Sequence, residues 1–273
     1  MTGASAEQVT YSLAEGVATL AFHNPERRNA WNLLMEDQYF SLLDRADGDP
    51  DVRAIVVTGT GTSFCPGMDT ARLSVLAEGG ELQLAERRPQ TYALKIRKPL
   101  IAAINGACAG IGLMQALVCD VRFAARGARL STAYARRGLP AEYGSSWLLP
   151  RLIGVERALD LLLSARTFTS EEAKEMGLVS RLCGPGDVLA EAQSYAGDLA
   201  RNCAPRSMAA VRRQVYGDLS RDFPESMVHT LATMREFAGN SDFAEGVASF
   251  LEKRPPLFAP LDPHQRLLGD KGY

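Results

Sequence analysis

The sequence has few of the residues that metal and redox sites require. It contains three histidines, and two of them, His229 and His264, fall near the C-terminal end. The five cysteines are an odd number and form neither a C-x-x-C pair nor a zinc-finger spacing. We therefore expect no metal site and no histidine-based triad, and we expect free thiols in a reducing, cytoplasmic compartment.

A surplus of basic charge is also missing. Thirty Lys and Arg residues against 32 Asp and Glu residues give a formal net charge of -2. Proteins that bind nucleic acids usually carry a basic face or stripe. We therefore expect no nucleic-acid partner.

Membrane-targeting features are weak. Residues 1–10 lack the basic start and apolar run of a signal peptide. Residues 99–119 carry no charge over 21 positions, which is long enough to span a bilayer. Asn105 and Gly106 form a turn signal within this run, and Gly110 and Gly112 follow. We therefore interpret the run as a buried strand, a turn and a buried helix, with no membrane span.

Nucleotide-binding motifs are absent. Gly110-x-Gly112 is followed by Gln115 where a dinucleotide fingerprint needs a small residue, and there is no P-loop. The metalloprotease pattern H-E-x-x-H and the hydrolase pattern G-x-S-x-G do not occur. The chemistry of this chain must therefore depend on other residues.

Apolar periodicity predicts an α/β fold. In the first half, strand-like and helix-like runs alternate, which favours a mostly parallel sheet covered by helices. The predicted strands are 9–13, 17–22, 52–58, 100–104 and 120–124, the first two as a hairpin, and the predicted helices are 32–45, 82–96 and 111–118. After residue 150 the strand signal nearly vanishes. The predicted helices there are 157–164, 170–176, 188–201, 205–216, 227–237 and 243–253.

Two segments share one design, in which a strand is followed by a Gly-rich turn and a helix. They are residues 55–69 (IVVTGTGTSFCPGMD) and 100–115 (LIAAINGACAGIGLMQ). Converging helix N-termini would present free backbone N–H groups with a favourable dipole. Two such groups aimed at one point form an oxyanion hole for a thioester carbonyl that becomes an enolate. The alternative is that both segments are only tight turns, and the residues alone leave this open.

Seven segments in order resemble motifs of the enoyl-CoA hydratase/isomerase (crotonase) superfamily. They are 24–32 (NPERRNAWN), 58–69 (TGTGTSFCPGMD), 98–112 (KPLIAAINGACAGIG), 119–120 (CD), 149–154 (LPRLIG), 173–179 (AKEMGLV) and 242–254 (DFAEGVASFLEKR). The resemblance runs from residue 9 to about residue 259. It implies an α/β fold with a crotonase-like ββα spiral core and a helical C-terminal third.

The resemblance also implies the ligand and the assembly. The substrate would be an acyl-CoA thioester, with coenzyme A arriving as part of it and no other cofactor. Residues 1–200 would form the spiral core, and residues 201–273 would form a helical region through which chains assemble as a homotrimer or hexamer.

Residue by residue, the resemblance places the oxyanion-hole amides at Met68 and Ile111. The family's glycine at the second position is isoleucine here, which keeps the backbone N–H. Coenzyme A would lie along the loop at Arg28, with cationic help from the last helix at Lys253. The alternative for each cation is an ordinary solvated side chain.

The catalytic carboxylates depart from the hydratase pattern. The two positions at which hydratases of this family carry glutamate are Met114 and Tyr134 here. Met114 is expected to line the acyl pocket together with Trp147. Tyr134 could donate a hydrogen bond to substrate, although a tyrosine packed in the core is the more ordinary interpretation.

One acidic residue, Glu142, remains in the loop where other family members place a single Asp or Glu. The frame E-x-G-S-S-x-x-x-P at residues 142–150 is similar to that of peroxisomal-type Δ3,Δ2-enoyl-CoA isomerases. Its position between Pro140 and the apolar Trp147 favours burial, which would raise its pKa towards that of a general base and acid. The alternative is an exposed loop acid near a helix N-terminus.

The sequence therefore predicts an enoyl-CoA isomerase that stabilises a thioester enolate and uses Glu142 as the proton carrier. Three alternatives stay open. They are a hydratase in which Glu142 alone positions water, a thioester hydrolase, and a degenerate protein that binds acyl-CoA without turning it over.

Overall fold

The structure is a computed structural model that describes residues 7–80 and 87–263. Within these ranges, a six-stranded sheet has the spatial order β1-β2-β3-β5-β7-β10. Its strands are β1 (Val9–Ala14), β2 (Val17–Phe22), β3 (Ala54–Gly59), β5 (Leu100–Ile104), β7 (Val121–Ala125) and β10 (Arg181–Cys183). β1 and β2 form an antiparallel hairpin, and each later pairing is parallel.

A second, four-stranded sheet has the order β4-β6-β8-β9. Its strands are β4 (Ser63–Cys65), β6 (Ala107–Ala109), β8 (Arg129–Ser131) and β9 (Phe168–Thr169). β4, β6 and β8 are parallel, and β9 is antiparallel to β8. These strands have two or three residues each, so their alternation is too short to identify in the sequence.

Helices complete the chain. They are α1 (Leu33–Gly48), α2 (Thr70–Ala77), α3 (Ile111–Leu117), α4 (Ser145–Ile153), α5 (Val155–Ser164), α6 (Ser170–Glu175), α7 (Val188–Asn202), α8 (Pro205–Asp218), α9 (Phe223–Phe237) and α10 (Ser241–Glu252). The α1 helix begins after Asn32, whose side chain accepts a hydrogen bond from the backbone N–H of Met35. This is the N-cap role that a helix start at that residue predicts.

The two faces of the large sheet are covered differently. The main core, against one face, includes α1, α3, α4 and a cluster of edge-to-face aromatic rings around Phe22, Trp31 and Tyr39. On the other face, Ala192, Ala196 and Ala200 of α7 belong to a separate buried cluster with β-branched residues of the sheet. Small side chains at a four-residue spacing let α7 pack closely on the strands.

The expected helix over residues 82–96 is wrong for residues 87–96. Residues 82–86 lie outside the described part of the chain. Only a 3-10 turn at Tyr92–Lys95 forms, and the chain from Arg87 to Gln90 is irregular. Both of these side chains hydrogen-bond to the distant Glu36. These contacts hold the segment away from a helical path despite its apolar spacing.

The uncharged run at residues 99–119 forms β5, β6 and α3, as the strand, turn and helix interpretation predicts. In the described ranges, no helix combines the length and apolar character that crossing a bilayer requires. α3 has seven residues, and all of them are buried within the protein. The apolar character of this run therefore reflects the core.

Candidate active site

Two neighbouring strands of the small sheet bring the predicted amide donors together. β4 and β6 run parallel, with Cys65 opposite Cys108. Met68 and Ile111 each lie three residues beyond those paired cysteines. The two turns therefore leave the same edge of the sheet at equivalent positions, and the register of one strand pair accounts for their convergence.

Glycines allow these turns to approach each other. A Cβ atom on Gly112, in the first turn of α3, would lie 2.1 Å from the carbonyl oxygen of Cys65. The start of α3 thus packs directly against β4, which a larger residue would prevent. Gly67 and Gly110, immediately before the two donors, have φ angles of +115° and +51°. Such angles turn the chain sharply at the point where each N–H must face outward.

The backbone amides of Met68 and Ile111 are both available. Trp31 donates its N–H to the carbonyl of Gly67 at 2.8 Å and accepts from the N–H of Asp69 at 2.9 Å, so it bonds to the residues on either side of Met68. Ile111 is the first residue of α3, where an N–H has no acceptor within the helix. Among the described residues, neither amide has a hydrogen-bond acceptor.

The loop before α1 fixes this arrangement. Asn29 is fully buried, and its side-chain amide donates to the carbonyls of Thr60 at 2.9 Å and Ser63 at 2.8 Å. The carboxylate of Asp69 accepts from the N–H of Ala71 at 2.8 Å and caps α2. The polar side chains of Asn29 and Asp69 therefore hold the backbone of the two turns in place.

A cavity of about 390 Å³ opens in front of the two amides. The residues around Met68 and Ile111 form one side of it, and the loop containing Tyr134 and Glu142 forms another. Its apolar lining includes Leu73, Leu76, Ala77 and Leu139. A pocket of this size, mostly apolar with a few polar groups, is typical of a small-molecule site.

Glu142 is the one carboxylate among the described residues that line this cavity. It lies in the loop between the 3-10 turn Ala135–Arg137 and α4, and it is half-buried. Burial raises the pKa of its carboxyl above the ordinary value of 4.5. Such a group is better suited to accept and return a proton near neutral pH than an exposed glutamate is.

Two tyrosines flank this carboxylate. Burial raises the pKa of Tyr134 and of Tyr143, and the negative charge of Glu142 raises each of them further. The hydroxyl of Tyr134 donates to the carbonyl of Gly110 at 3.4 Å. Tyr143 has a φ of +53°, a conformation that is uncommon for a bulky residue and is often found at functional sites.

A buried polar network around Glu36 is not evident from the sequence. Glu36 is 1% exposed and accepts hydrogen bonds from the indole N–H of Trp31 at 2.9 Å, from Arg87 Nε at 2.7 Å and from Gln90 at 2.6 Å. The positive charge of Arg87 acts to lower the pKa of Tyr143. The network joins Trp31, which pairs with the Met68 segment, to the chain at Arg87 and Gln90.

Four of the predicted site residues line one cavity. They are Met68, Ile111, Tyr134 and Glu142. Their convergence from three separate chain segments matches the arrangement expected for an oxyanion hole with a nearby proton carrier.

The expected pocket residues Met114 and Trp147 are not among the described lining residues. Met114 is fully buried, one turn into α3, where its side chain belongs to the main core. Trp147 packs partly buried against the same core, with the guanidinium of Arg151 4.1 Å from its ring centroid. The structure thus places both side chains in packing roles.

The two predicted coenzyme A cations are exposed. Arg28 follows a short 3-10 turn in the left-handed conformation, three residues before Trp31. Lys253 caps α10, also left-handed, and no described lining residue of the cavity comes from α8, α9 or α10. Within one chain, the structure brings Arg28 to the loop beside the Met68 segment and leaves Lys253 off the cavity wall.

The sequence model of the enoyl-CoA hydratase/isomerase family matches residues 12–260. The chain belongs to the enoyl-CoA hydratase/isomerase family. A probable enoyl-CoA hydratase from Rhodobacter capsulatus is 36% identical over 254 residues, covering 92% of this chain and 97% of the relative. The 1,2-epoxyphenylacetyl-CoA isomerase of Escherichia coli is 31% identical over 266 residues, covering 92% and 98%.

Solved structures confirm the crotonase fold. A probable enoyl-CoA hydratase/isomerase from Mycobacterium abscessus superposes with a TM-score of 0.86 at 33% identity, covering 93% of this chain and 99% of that chain. The predicted fold, a spiral α/β core with a helical C-terminal region, is therefore correct. As a member of this family, the chain is an acyl-CoA enzyme.

Proposed function

We propose that this enzyme moves the double bond of an enoyl-CoA from carbon 3 to carbon 2. The amides of Met68 and Ile111 hold the thioester oxygen. The carboxylate of Glu142 removes a proton from carbon 2, and the electron pair of that C–H bond delocalises to form a dienolate. The same carboxyl then returns the proton to carbon 4, which gives the conjugated thioester without any change in atoms.

The observation that supports this reaction most strongly is the shared cavity. One carboxylate with a raised pKa and two unpaired amides face the same space. A double-bond shift needs one proton carrier, because the group that removes the proton can also return it. Water addition with two acidic groups would use the positions of Met114 and Tyr134, and neither side chain is a carboxylate.

The substrate would supply coenzyme A, with no separate cofactor. Arg28 is proposed to contact its phosphate groups, since its guanidinium is exposed on the loop next to the Met68 segment. Lys253 is proposed to contact the phosphates of a coenzyme A molecule that is bound in the cavity of a neighbouring chain of the assembly. An Arg28→Gln variant should bind free coenzyme A more weakly while the binding of a pantetheine thioester lacking the nucleotide stays unchanged.

Product analysis tests the reaction directly. Purified enzyme is incubated with a 3-enoyl-CoA and, separately, with a 2-enoyl-CoA, and the products are followed by ultraviolet absorbance and mass. We expect the 3-enoyl-CoA to become a conjugated thioester of unchanged mass. Release of free thiol would indicate a hydrolase, and tight binding without any conversion would indicate a binding protein.

A second candidate is hydration of a 2-enoyl-CoA, with Glu142 alone positioning the water. The activity named for several relatives favours it, including the 36% identical probable enoyl-CoA hydratase from Rhodobacter capsulatus. The two reactions differ in product mass, because hydration adds one water. A 3-hydroxyacyl-CoA product from the 2-enoyl substrate would replace the isomerase proposal with this one.

The C-terminal helices support an assembly of chains, proposed here as a trimer or a dimer of trimers. Large apolar side chains on α8, α9 and α10 are exposed in a single chain, among them Val228, Phe223 at 77% and Phe250 at 82%. Several large, exposed apolar side chains on three successive helices favour a protein interface there. Sedimentation equilibrium should give the mass of three or six chains, and a monomeric mass would contradict the proposal.

A further inference from the structure

Arg137 is the one cation among the described residues that line the cavity. It ends the 3-10 turn at Ala135–Arg137, between the lining residues Tyr134 and Leu139. Apart from Glu142, the tyrosines and the backbone amides, its neighbours on the wall are apolar or small. Arg137 is exposed, so this otherwise apolar wall carries one guanidinium that both solvent and a bound ligand can reach.

The hydrogen-bond capacity of this guanidinium is mostly unused. Arg137 donates one hydrogen bond, from a terminal nitrogen to the carbonyl of Ala133 at 3.1 Å. A guanidinium has five N–H donors, and no carboxylate of the described residues lies within ion-pair distance of this one. By contrast, Arg166 pairs with Asp160 and Glu172. The bond to Ala133 orients the guanidinium and leaves donors for a ligand.

The cation and the proposed proton carrier lie on the same connection before α4, with residues 138–141 between them. Both line the cavity, and Glu142 is the group proposed to act on the reacting carbons. An anion bound at Arg137 would therefore belong to another part of the same substrate.

We infer that Arg137 binds a carboxylate at the far end of the acyl chain, so that the enzyme prefers coenzyme A thioesters of dicarboxylic acids. A planar guanidinium can hold a carboxylate through two parallel hydrogen bonds. Leu139 and the leucines of α2 would cover the methylene groups between the thioester and the carboxylate. This inference rests on the proposed function, since it uses the same cavity and the same thioester position.

The test compares binding with turnover. Unreactive thioether analogues of acyl-CoA, matched in chain length from four to eight carbons and ending in either a methyl or a carboxylate group, are titrated calorimetrically. The proteins are the wild type, Arg137→Gln, Arg137→Lys and Arg136→Gln. Arg136 is a matched control, because it is also exposed but donates to the carbonyl of Ser164 at 2.8 Å outside the cavity.

At one chain length or more, the wild type should bind the carboxylate analogue more tightly than the methyl analogue. Arg137→Gln should weaken carboxylate binding by about ten- to a hundredfold, as expected for the loss of hydrogen bonds to a charged group. Binding of the methyl analogue should stay within about threefold. Arg137→Lys should keep part of the preference, and Arg136→Gln should keep all of it.

Two results would overturn the inference. One is a wild type that does not favour the carboxylate analogue at any chain length. The other is an equal loss of affinity for both analogues and for free coenzyme A in Arg137→Gln, which would assign this cation to the phosphates. Because binding is measured without turnover, a retained carboxylate preference in an enzyme that converts no enoyl-CoA would sink the proposed reaction and leave this inference standing.

Discussion

Two walls of the cavity are built in different ways. The amide wall consists of the turns at residues 66–68 and 110–112, and it presents backbone N–H groups. The loop wall consists of residues 133–143, and it presents the side chains of Tyr134, Arg137, Glu142 and Tyr143. Strand register and close backbone packing determine the geometry of the amide wall. The chemical character of the loop wall is determined by the identity of its side chains.

The proposed reaction gives the two walls different tasks. The amide wall would hold the thioester oxygen of any acyl-CoA, since a backbone N–H is independent of side-chain identity. The loop wall would supply the proton carrier and, as we infer, the contact with the acyl tail. Ala133 and Tyr143 in this wall have φ angles of +66° and +53°, so backbone in the left-handed region positions the side chains of this loop.

A large effect is expected from damaging the amide wall at Gly112. A Cβ atom there would meet the carbonyl oxygen of Cys65 at 2.1 Å, so Gly112→Ala should push α3 away from β4 and separate the two amides. We expect turnover to fall by about 10²- to 10³-fold and the melting temperature to drop. Gly48→Ala, at the end of α1 with nothing within 4 Å of the added Cβ, is the control. Wild-type turnover in a folded Gly112→Ala variant would show that this close approach is unimportant.

The second prediction concerns the loop wall and pH. Glu142 must be ionised to accept a proton, and burial raises its pKa above 4.5. As the pH is lowered, kcat/KM should therefore begin to fall at a higher pH than the pKa of an ordinary exposed glutamate would give. Below that point it should fall by about tenfold for each pH unit. If the residual activity of Glu142→Gln falls over the same acidic pH range, the pH dependence belongs to another group. Fold and acyl-CoA binding should be followed over the same pH range.

A smaller effect is expected on stability. Because burial raises the Glu142 pKa, the folded state binds more protons than the unfolded state between the unfolded and folded pKa values. The free energy of unfolding therefore falls as the pH rises through this window, and the deficit remains at neutral pH. Since the side chain is half-exposed, Glu142→Gln should gain only about a few tenths of a kcal/mol at pH 7. Urea unfolding at pH 7 and pH 4 tests this, and a less stable variant at pH 7 would contradict it.

The smallest effect is expected from changing a side chain on the amide wall. Met68 contributes its backbone N–H, so Met68→Leu, which nearly conserves volume, should leave kcat within about threefold of the wild type. Steady-state kinetics with the same substrate measures it. A hundredfold loss would mean that the Met68 side chain itself takes part, and the distinction between the two walls would fail.

The sequence indicates the two walls in different ways. The resemblance to the family places the amide donors at Met68 and Ile111, whereas the hairpin, the α1 start at Asn32 and strand β5 follow from local periodicity. These features depend on residues that are close together in the chain. Glu142 was identified through its loop motif, and Tyr143 could have been found as its immediate neighbour.

Other features required contacts between distant residues. Glu36 meets Arg87 and Gln90 across more than fifty positions, and no local pattern announces such a network. The same contacts explain why the apolar spacing at residues 82–96 predicted a helix incorrectly where the structure describes it. The resemblance to the family implies an active-site position for Met114, but packing around α3 places its side chain in the core.

The most direct test of the account compares binding and turnover in Glu142→Gln. The amide wall is untouched in this variant, so its affinity for an unreactive acyl-CoA analogue should stay within about threefold of the wild type. Its kcat for the conversion of 3-enoyl-CoA to 2-enoyl-CoA should fall by about two to four orders of magnitude, because the proton carrier is gone. Conversion by the variant at the wild-type rate would contradict Glu142 as the proton carrier. It would also contradict separate roles for the amide wall in binding the thioester oxygen and for the loop wall in proton transfer.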